Sequence, residues 1–231
     1  MATYVLIHGS RSDSWYWHRV VPELSDRGHH VVAPDLPTGD ESAGLSEYAD
    51  AVVAATDGRR DVVLVAQSLA GFVAPLVCER MPVRLLVLVA AMVPEPGESP
   101  EEWFAATGWA QARREQAERD GRELGDEFDV VTEFFHDVPP NVVAEAFAGP
   151  EPVQVGTPFA QPWPLDAWPD VPTRFVLCRH DRFFPAEFMR RVVHERLGLE
   201  PDELESGHLP ALSRPAELVR LLERYRASVS G

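Results

Sequence analysis

The chain has 231 residues, enough for one domain with a buried core and within the range of a single α/β domain. Acidic residues (37) outnumber basic ones (21), and the formal charge of -16 repels polyanions, so nucleic acid is not an expected partner. Every basic residue is an arginine, and the lack of lysine excludes a P-loop lysine, a Schiff-base lysine and a Ser-Lys dyad.

The chain opens with Tyr4-Val5-Leu6-Ile7, a short β-branched and aromatic run that reads as a fully buried strand ending at His8-Gly9. No basic segment precedes it and no apolar stretch reaches membrane-spanning length, so the expected setting is soluble and cytoplasmic. A helix is predicted over Tyr16 to Arg27 with Gly28 as its stop, then a strand at Val31-Val32-Ala33-Pro34 and a helix from Leu45 to Thr56. Strand Val62 to Val65, helix Leu69 to Arg80 and strand Leu85 to Val89 follow.

The alternation breaks from about 94 to 168. Pro94-Glu95-Pro96-Gly97 gives way to a polar, helix-favouring run from Glu101 to Arg122. An aromatic and proline-rich stretch follows, with Phe128, Phe134, Phe135, Phe147, Phe159, Trp163 and Trp168. A long insertion between core strands reads as a helical cap over a pocket, with an ordinary helical elaboration as the alternative. The chain resumes with strand Arg174 to Cys178, helix Pro185 to Leu197, a short run near Leu204 and an amphipathic helix from Pro215 to Arg226. The fold class is therefore α/β: about six mainly parallel strands covered by helices on both faces, one domain over 1–231. Cys78 and Cys178 have no CxxC spacing and read as reduced core thiols.

Four segments carry chemistry in combination. In Val62-Val63-Leu64-Val65-Ala66-Gln67-Ser68-Leu69-Ala70-Gly71 a serine stands at a strand-to-helix turn among small residues, as a nucleophile elbow requires; a serine N-cap is the competing reading. Alanine replaces both glycines of the usual G-x-S-x-G pattern. Leu6-Ile7-His8-Gly9-Ser10 ends the first strand, where the Ser10 N–H, together with that of Leu69, would form an oxyanion hole; a simple glycine turn is the alternative, and His8 reads as structural. Asp181 follows the strand ending at Cys178, and His208 lies in Ser206-Gly207-His208-Leu209-Pro210 past the last strand. Nucleophile, acid and base thus occur in the order Ser, Asp, His, each beyond a strand's C-terminal end, and in an open parallel sheet those ends share one edge.

With these residues the chain resembles the α/β-hydrolase superfamily over essentially its whole length. The opening His8-Gly9 with Trp15, the short histidine loop and the compact cap are similar to the plant methylesterase and hydroxynitrile lyase branch and its small bacterial relatives. The resemblance implies a Ser-Asp-His triad at Ser68, Asp181 and His208. His180 is a rival base and Glu95 a reserve acid, since some members take the acid from the loop after the sixth strand. An aspartate nucleophile, used by dehalogenases and epoxide hydrolases, is absent. The lysine and threonine of the lyases are replaced by Leu209 and Gly9.

The expected function is carboxylesterase-like cleavage of an ester of a small, largely apolar molecule through an acyl-enzyme. Lyase or carbon-carbon hydrolase chemistry on the same residues, and a non-enzymatic receptor with a vestigial triad, stay open. Trp103, Trp109, Phe134, Phe135, Phe147 and the 159–168 stretch are candidate pocket linings, with core packing as the alternative. No metal or organic cofactor is expected. The expected partner is a small-molecule substrate, membrane binding is not expected, and a homodimer is left open.

Overall fold

The computed structural model describes residues 1–125 and 128–229. Asp126 and Glu127, inside the 94–168 segment, and Ser230 and Gly231, at the end of the 1–231 domain, lie outside the described residues.

Six strands form one parallel sheet: β1 (Thr3–Ile7), β2 (His30–Val32), β3 (Val62–Gln67), β4 (Leu85–Val89), β5 (Thr173–Cys178) and β6 (Asp202–Leu204), in the order β2-β1-β3-β4-β5-β6. The central strands are apolar along their whole length because both faces are covered. Val5, Ile7, Leu64, Ala66, Leu86 and Leu88 point into one core layer, and Tyr4, Leu6, Val63, Val65, Val87 and Val89 into the other. That alternation is the two-residue period of a strand.

The helices in chain order are α1 (Val20–Asp26), α2 (Leu45–Thr56), α3 (Ala74–Arg80), α4 (Pro100–Thr107), α5 (Trp109–Arg119), α6 (Val130–Phe134), α7 (Pro140–Ala146), α8 (Thr157–Ala160), α9 (Ala186–Leu197), α10 (Pro210–Ser213) and α11 (Pro215–Ser228). Helices α2, α3 and α9 contribute to the first layer; α1 and α11 contribute to the second. Helices α4 to α8 lie in the chain between β4 and β5. No helix among the described residues is long and apolar enough to cross a membrane.

Several predicted elements break where local chemistry forces them to. The run from Tyr16 to Arg27 splits into a 3-10 turn, Ser14–Trp17, and α1, because Pro22 has no N–H to continue the ladder and is tolerated only in a first turn. Pro75 does the same to the Leu69–Arg80 run, leaving a 3-10 turn at Ser68–Gly71 before α3. Gly108, at φ +75°, ends α4 and divides the polar run from Glu101 to Arg122. β2 is shorter than the predicted strand, which carried Pro34, a residue unable to donate to the ladder.

The strand order places the site. From β1 the chain moves outward to β2, then returns to the other side of β1 to form β3, so the loops after β1 and β3 diverge and leave a crevice at the carboxyl edge. Gly9 and Ser10 end one of these strands and Ser68 the other.

Candidate active site

Ser68 follows β3 directly and has φ +55°, in the left-handed region that a non-glycine residue enters at a cost of about 1–3 kcal/mol. Its surroundings hold it there. The Met92 N–H donates to the Ser68 carbonyl at 3.0 Å, tying the turn to the loop after β4. Gly71 makes this approach possible, because a Cβ there would overlap the Met92 carbonyl oxygen and stand 2.9 Å from its carbon. Gly9 is equally constrained: its Cβ would overlap Gln67 Oε1 and lie 2.9 Å from Ser68 Cβ. Ala66 and Ala70, which stand where the usual G-x-S-x-G pattern has glycine, are fully packed.

The sheet edge brings the three widely separated residues together. His208 Nδ1 lies 2.7 Å from Asp181 Oδ2, and His208 Nε2 lies 3.2 Å from Ser68 Oγ. Asp181 and His208 are buried. The carboxylate accepts the Nδ1 proton, which fixes the tautomer and leaves the Nε2 lone pair to accept the serine hydroxyl proton. Asp181 is itself held by the N–H groups of Phe183 (2.8 Å) and Phe184 (2.9 Å), which donate to Oδ1. That bifurcated anchoring leaves Oδ2 for the imidazole.

Among the described residues, neither the Ser10 N–H nor the Leu69 N–H donates to another group of the chain. Leu69 stands in the first turn of the 3-10 segment, where N–H groups have no intrahelical acceptor. Ser10 begins the turn after β1, which abuts Ser68 through Gly9.

The rivals are placed elsewhere. His180 is exposed and its Nε2 pairs with Glu205 at 2.7 Å, so it does not compete for Ser68. Glu95 is 62% exposed at its side chain and lies 3.9 Å from Arg196, which is paired with Glu98. His8 is structural, as expected: its Nδ1–H donates to the Gly9 carbonyl (2.8 Å) while Nε2 accepts the Leu36 N–H (3.1 Å), and burial lowers its pKa. Burial pushes the Cys78 thiol up to about 12 and raises that of Cys178 as well, which disfavours the reactive thiolate in both. Cys78 is only half-buried, at the edge of the core assigned to it.

Of the aromatic candidates for the pocket, Phe134 reaches the site, its ring stacked on the His208 imidazole at 4.8 Å and 25°. Trp103 and Trp163 belong to the core instead, their indole N–H groups donating to the Val93 and Phe72 carbonyls. Phe147 is exposed against Phe135.

Gln67 was missed by reading the sequence. Its buried side chain donates Nε2–H to the His208 carbonyl at 3.1 Å, linking the elbow to the histidine loop. A polar residue closing an otherwise apolar strand was the available signal. Phe183 and Phe184, whose rings stand edge-on to His208 at 5.3 Å and 5.2 Å, were equally unremarked in this role.

A serine in a strained turn at the crevice of a parallel α/β sheet, within reach of an imidazole held by a buried acid, defines the class of nucleophile-elbow enzymes. The alpha/beta hydrolase family profile matches residues 4–221. The chain belongs to the alpha/beta hydrolase family, and is a hydrolase enzyme. It is 28% identical to the probable esterase PIR7A of Oryza sativa subsp. indica, over 97% of this chain and 96% of that one. Polyneuridine aldehyde esterase of Rauvolfia serpentina is 25% identical over 95% and 93% of the two chains. A pyrethroid hydrolase from Sphingobium faniae JZ-2 shares the fold with a TM-score of 0.76 at 21% identity, covering 98% of each chain.

Proposed function

We propose that this hydrolase cleaves an ester of a small, largely apolar molecule through an acyl-enzyme on Ser68. The observation that carries the proposal is the continuous relay from Ser68 Oγ through His208 to Asp181, at 3.2 Å and 2.7 Å. His208 Nε2 takes the hydroxyl proton as Oγ attacks the carbonyl carbon, and Asp181 stabilises the imidazolium that forms. The Ser10 and Leu69 N–H groups, unengaged among the described residues, receive the oxyanion. Collapse expels the alcohol, which takes the proton from His208, and water activated by the same imidazole releases the acid.

The rings of Phe134, Phe183 and Phe184 around the imidazole favour an apolar substrate and keep water from the relay. In this reading the 94–168 segment acts as a cap, with α6 supplying Phe134. The relatives named as esterases support the ester bond as the target. The unpaired thiols Cys78 and Cys178 favour a reducing, cytoplasmic setting.

The test is reaction with a fluorophosphonate probe and turnover of a short-chain p-nitrophenyl ester, each beside Ser68→Ala. The expected result is labelling and turnover in the native chain, with turnover falling about 10⁴-fold or more on substitution. Labelling and turnover that survive the substitution would remove Ser68 as the nucleophile. Ester binding without turnover by the native chain would favour a receptor.

A further inference from the structure

The histidine loop is held from outside the sheet. The Gly207 N–H, immediately before His208, donates to Asp137 Oδ2 at 2.7 Å across 70 residues of sequence. Gly207 is pressed against this partner: a Cβ there would lie 2.6 Å from Asp137 Oδ1 and 2.8 Å from His136 Nε2. Those two atoms are buried and make no hydrogen bond among the described residues.

The same short stretch of chain grips the acid loop as well. The Thr132 carbonyl accepts from Arg182 at 2.9 Å, and Phe134 packs on both Phe183 (5.0 Å) and His208 (4.8 Å). Residues 129 to 138 therefore brace the loop that carries Asp181 and the loop that carries His208 at once.

We propose that Asp137 is a positioning residue: by accepting the Gly207 N–H it sets the backbone that aims the His208 imidazole between Asp181 and Ser68. The proposal rests on the Ser68, His208 and Asp181 reading. His208 is held by Asp181 at Nδ1, by the stacked Phe134 ring, by Gln67 at its backbone carbonyl and by Asp137 one residue upstream. Asp137 and the Phe134 ring both reach His208 from the segment between β4 and β5.

Two readouts test this on the full-length protein: kcat and KM for a p-nitrophenyl ester, and the low-field proton NMR signal of the His208 Nδ1–H in its bond to Asp181. Asp137→Ala is expected to lower kcat on the order of 10²-fold with KM little changed, and to broaden or abolish the low-field signal. Asp137→Asn keeps an acceptor for Gly207 and recovers most of both. Gly207→Ala, which prises the contact apart without deleting the carboxylate, reproduces the loss and serves if Asp137→Ala does not fold. Native kcat and an intact signal in Asp137→Ala or in Gly207→Ala would overturn the proposal, as would equal impairment by the alanine and asparagine variants. A native chain with the signal but no turnover, the signal vanishing in Asp137→Ala, would remove the esterase reading and leave Asp137 its role.

Discussion

Gly71→Ala adds one methyl group to the elbow, and the structure says where it goes. The new Cβ overlaps the Met92 carbonyl oxygen and stands 2.9 Å from its carbon and 3.1 Å from its nitrogen, where ordinary contact begins at 3.4 Å. The obstacle is backbone, so no side-chain rotation relieves it, and the loop after β4 must retreat by on the order of 1 Å. That retreat stretches the bond from the Met92 N–H to the Ser68 carbonyl, now 3.0 Å. Overpacking costs about 1–3 kcal/mol and the weakened hydrogen bond about 0.5–1.5 kcal/mol more. For a chain of this size the sum lowers Tm by roughly 3–18 °C. Differential scanning calorimetry measures it, with fluorophosphonate labelling rate as the readout of the elbow. Gly149→Ala is the control, since nothing lies within 4 Å of its Cβ position. A Gly71→Ala protein with the native Tm and labelling rate would refute the claim that this glycine exists to admit Met92.

Gln67→Met removes the donor to the His208 carbonyl while keeping much of the side-chain volume. Leaving that buried carbonyl unpaired costs about 1–3 kcal/mol, expected as a fall in kcat of roughly tenfold or more in steady-state kinetics. His180→Ala, which removes only an exposed pair with Glu205, leaves kcat and Tm within error of the native values, and a large loss of turnover would reinstate it as a base. Glu223 gives the pH dependence of stability. Burial raises its pKa, but hydrogen bonds from Arg226, Tyr4 and His29 outweigh this and bring it from 4.5 to about 2. Between those values the unfolded chain binds the proton that the folded chain refuses, so stability present above pH 4.5 is lost as pH falls toward about 2. The contribution at neutral pH is at most about 3 kcal/mol, and solvent screening of this partly exposed group lowers it. Chemical denaturation from pH 7 to 3 is expected to show a shallower acid loss in Glu223→Gln than in the native chain.

The parallel sheet was legible because strands covered on both faces are written as unbroken apolar runs, and β1, β3, β4 and β5 each carry one. Ser68, Asp181 and His208 were legible for a related reason: each follows a strand end, and a parallel sheet gathers those ends on one edge. Helix boundaries were not, because Pro22 and Pro75 act through one missing N–H each and leave the apolar period around them intact. Asp137 was invisible for a deeper reason. It works on a backbone N–H 70 residues away, and a main-chain partner leaves no complementary side chain to read. The pocket aromatics were separable only in space: Trp103 and Phe134 look alike in sequence, yet one donates to a core carbonyl and the other stacks on the imidazole.

The central claim is that the acyl group is carried by Ser68. Rapid mixing with excess p-nitrophenyl ester, acid quench and digestion at arginine would isolate the 61–80 peptide, which holds both Ser68 and Cys78. Fragment-ion mass spectrometry is expected to find one acyl group per chain on Ser68, accompanied by a stoichiometric burst of p-nitrophenol. An acyl group on Cys78 or elsewhere in the chain, or native turnover by Ser68→Ala, would contradict it.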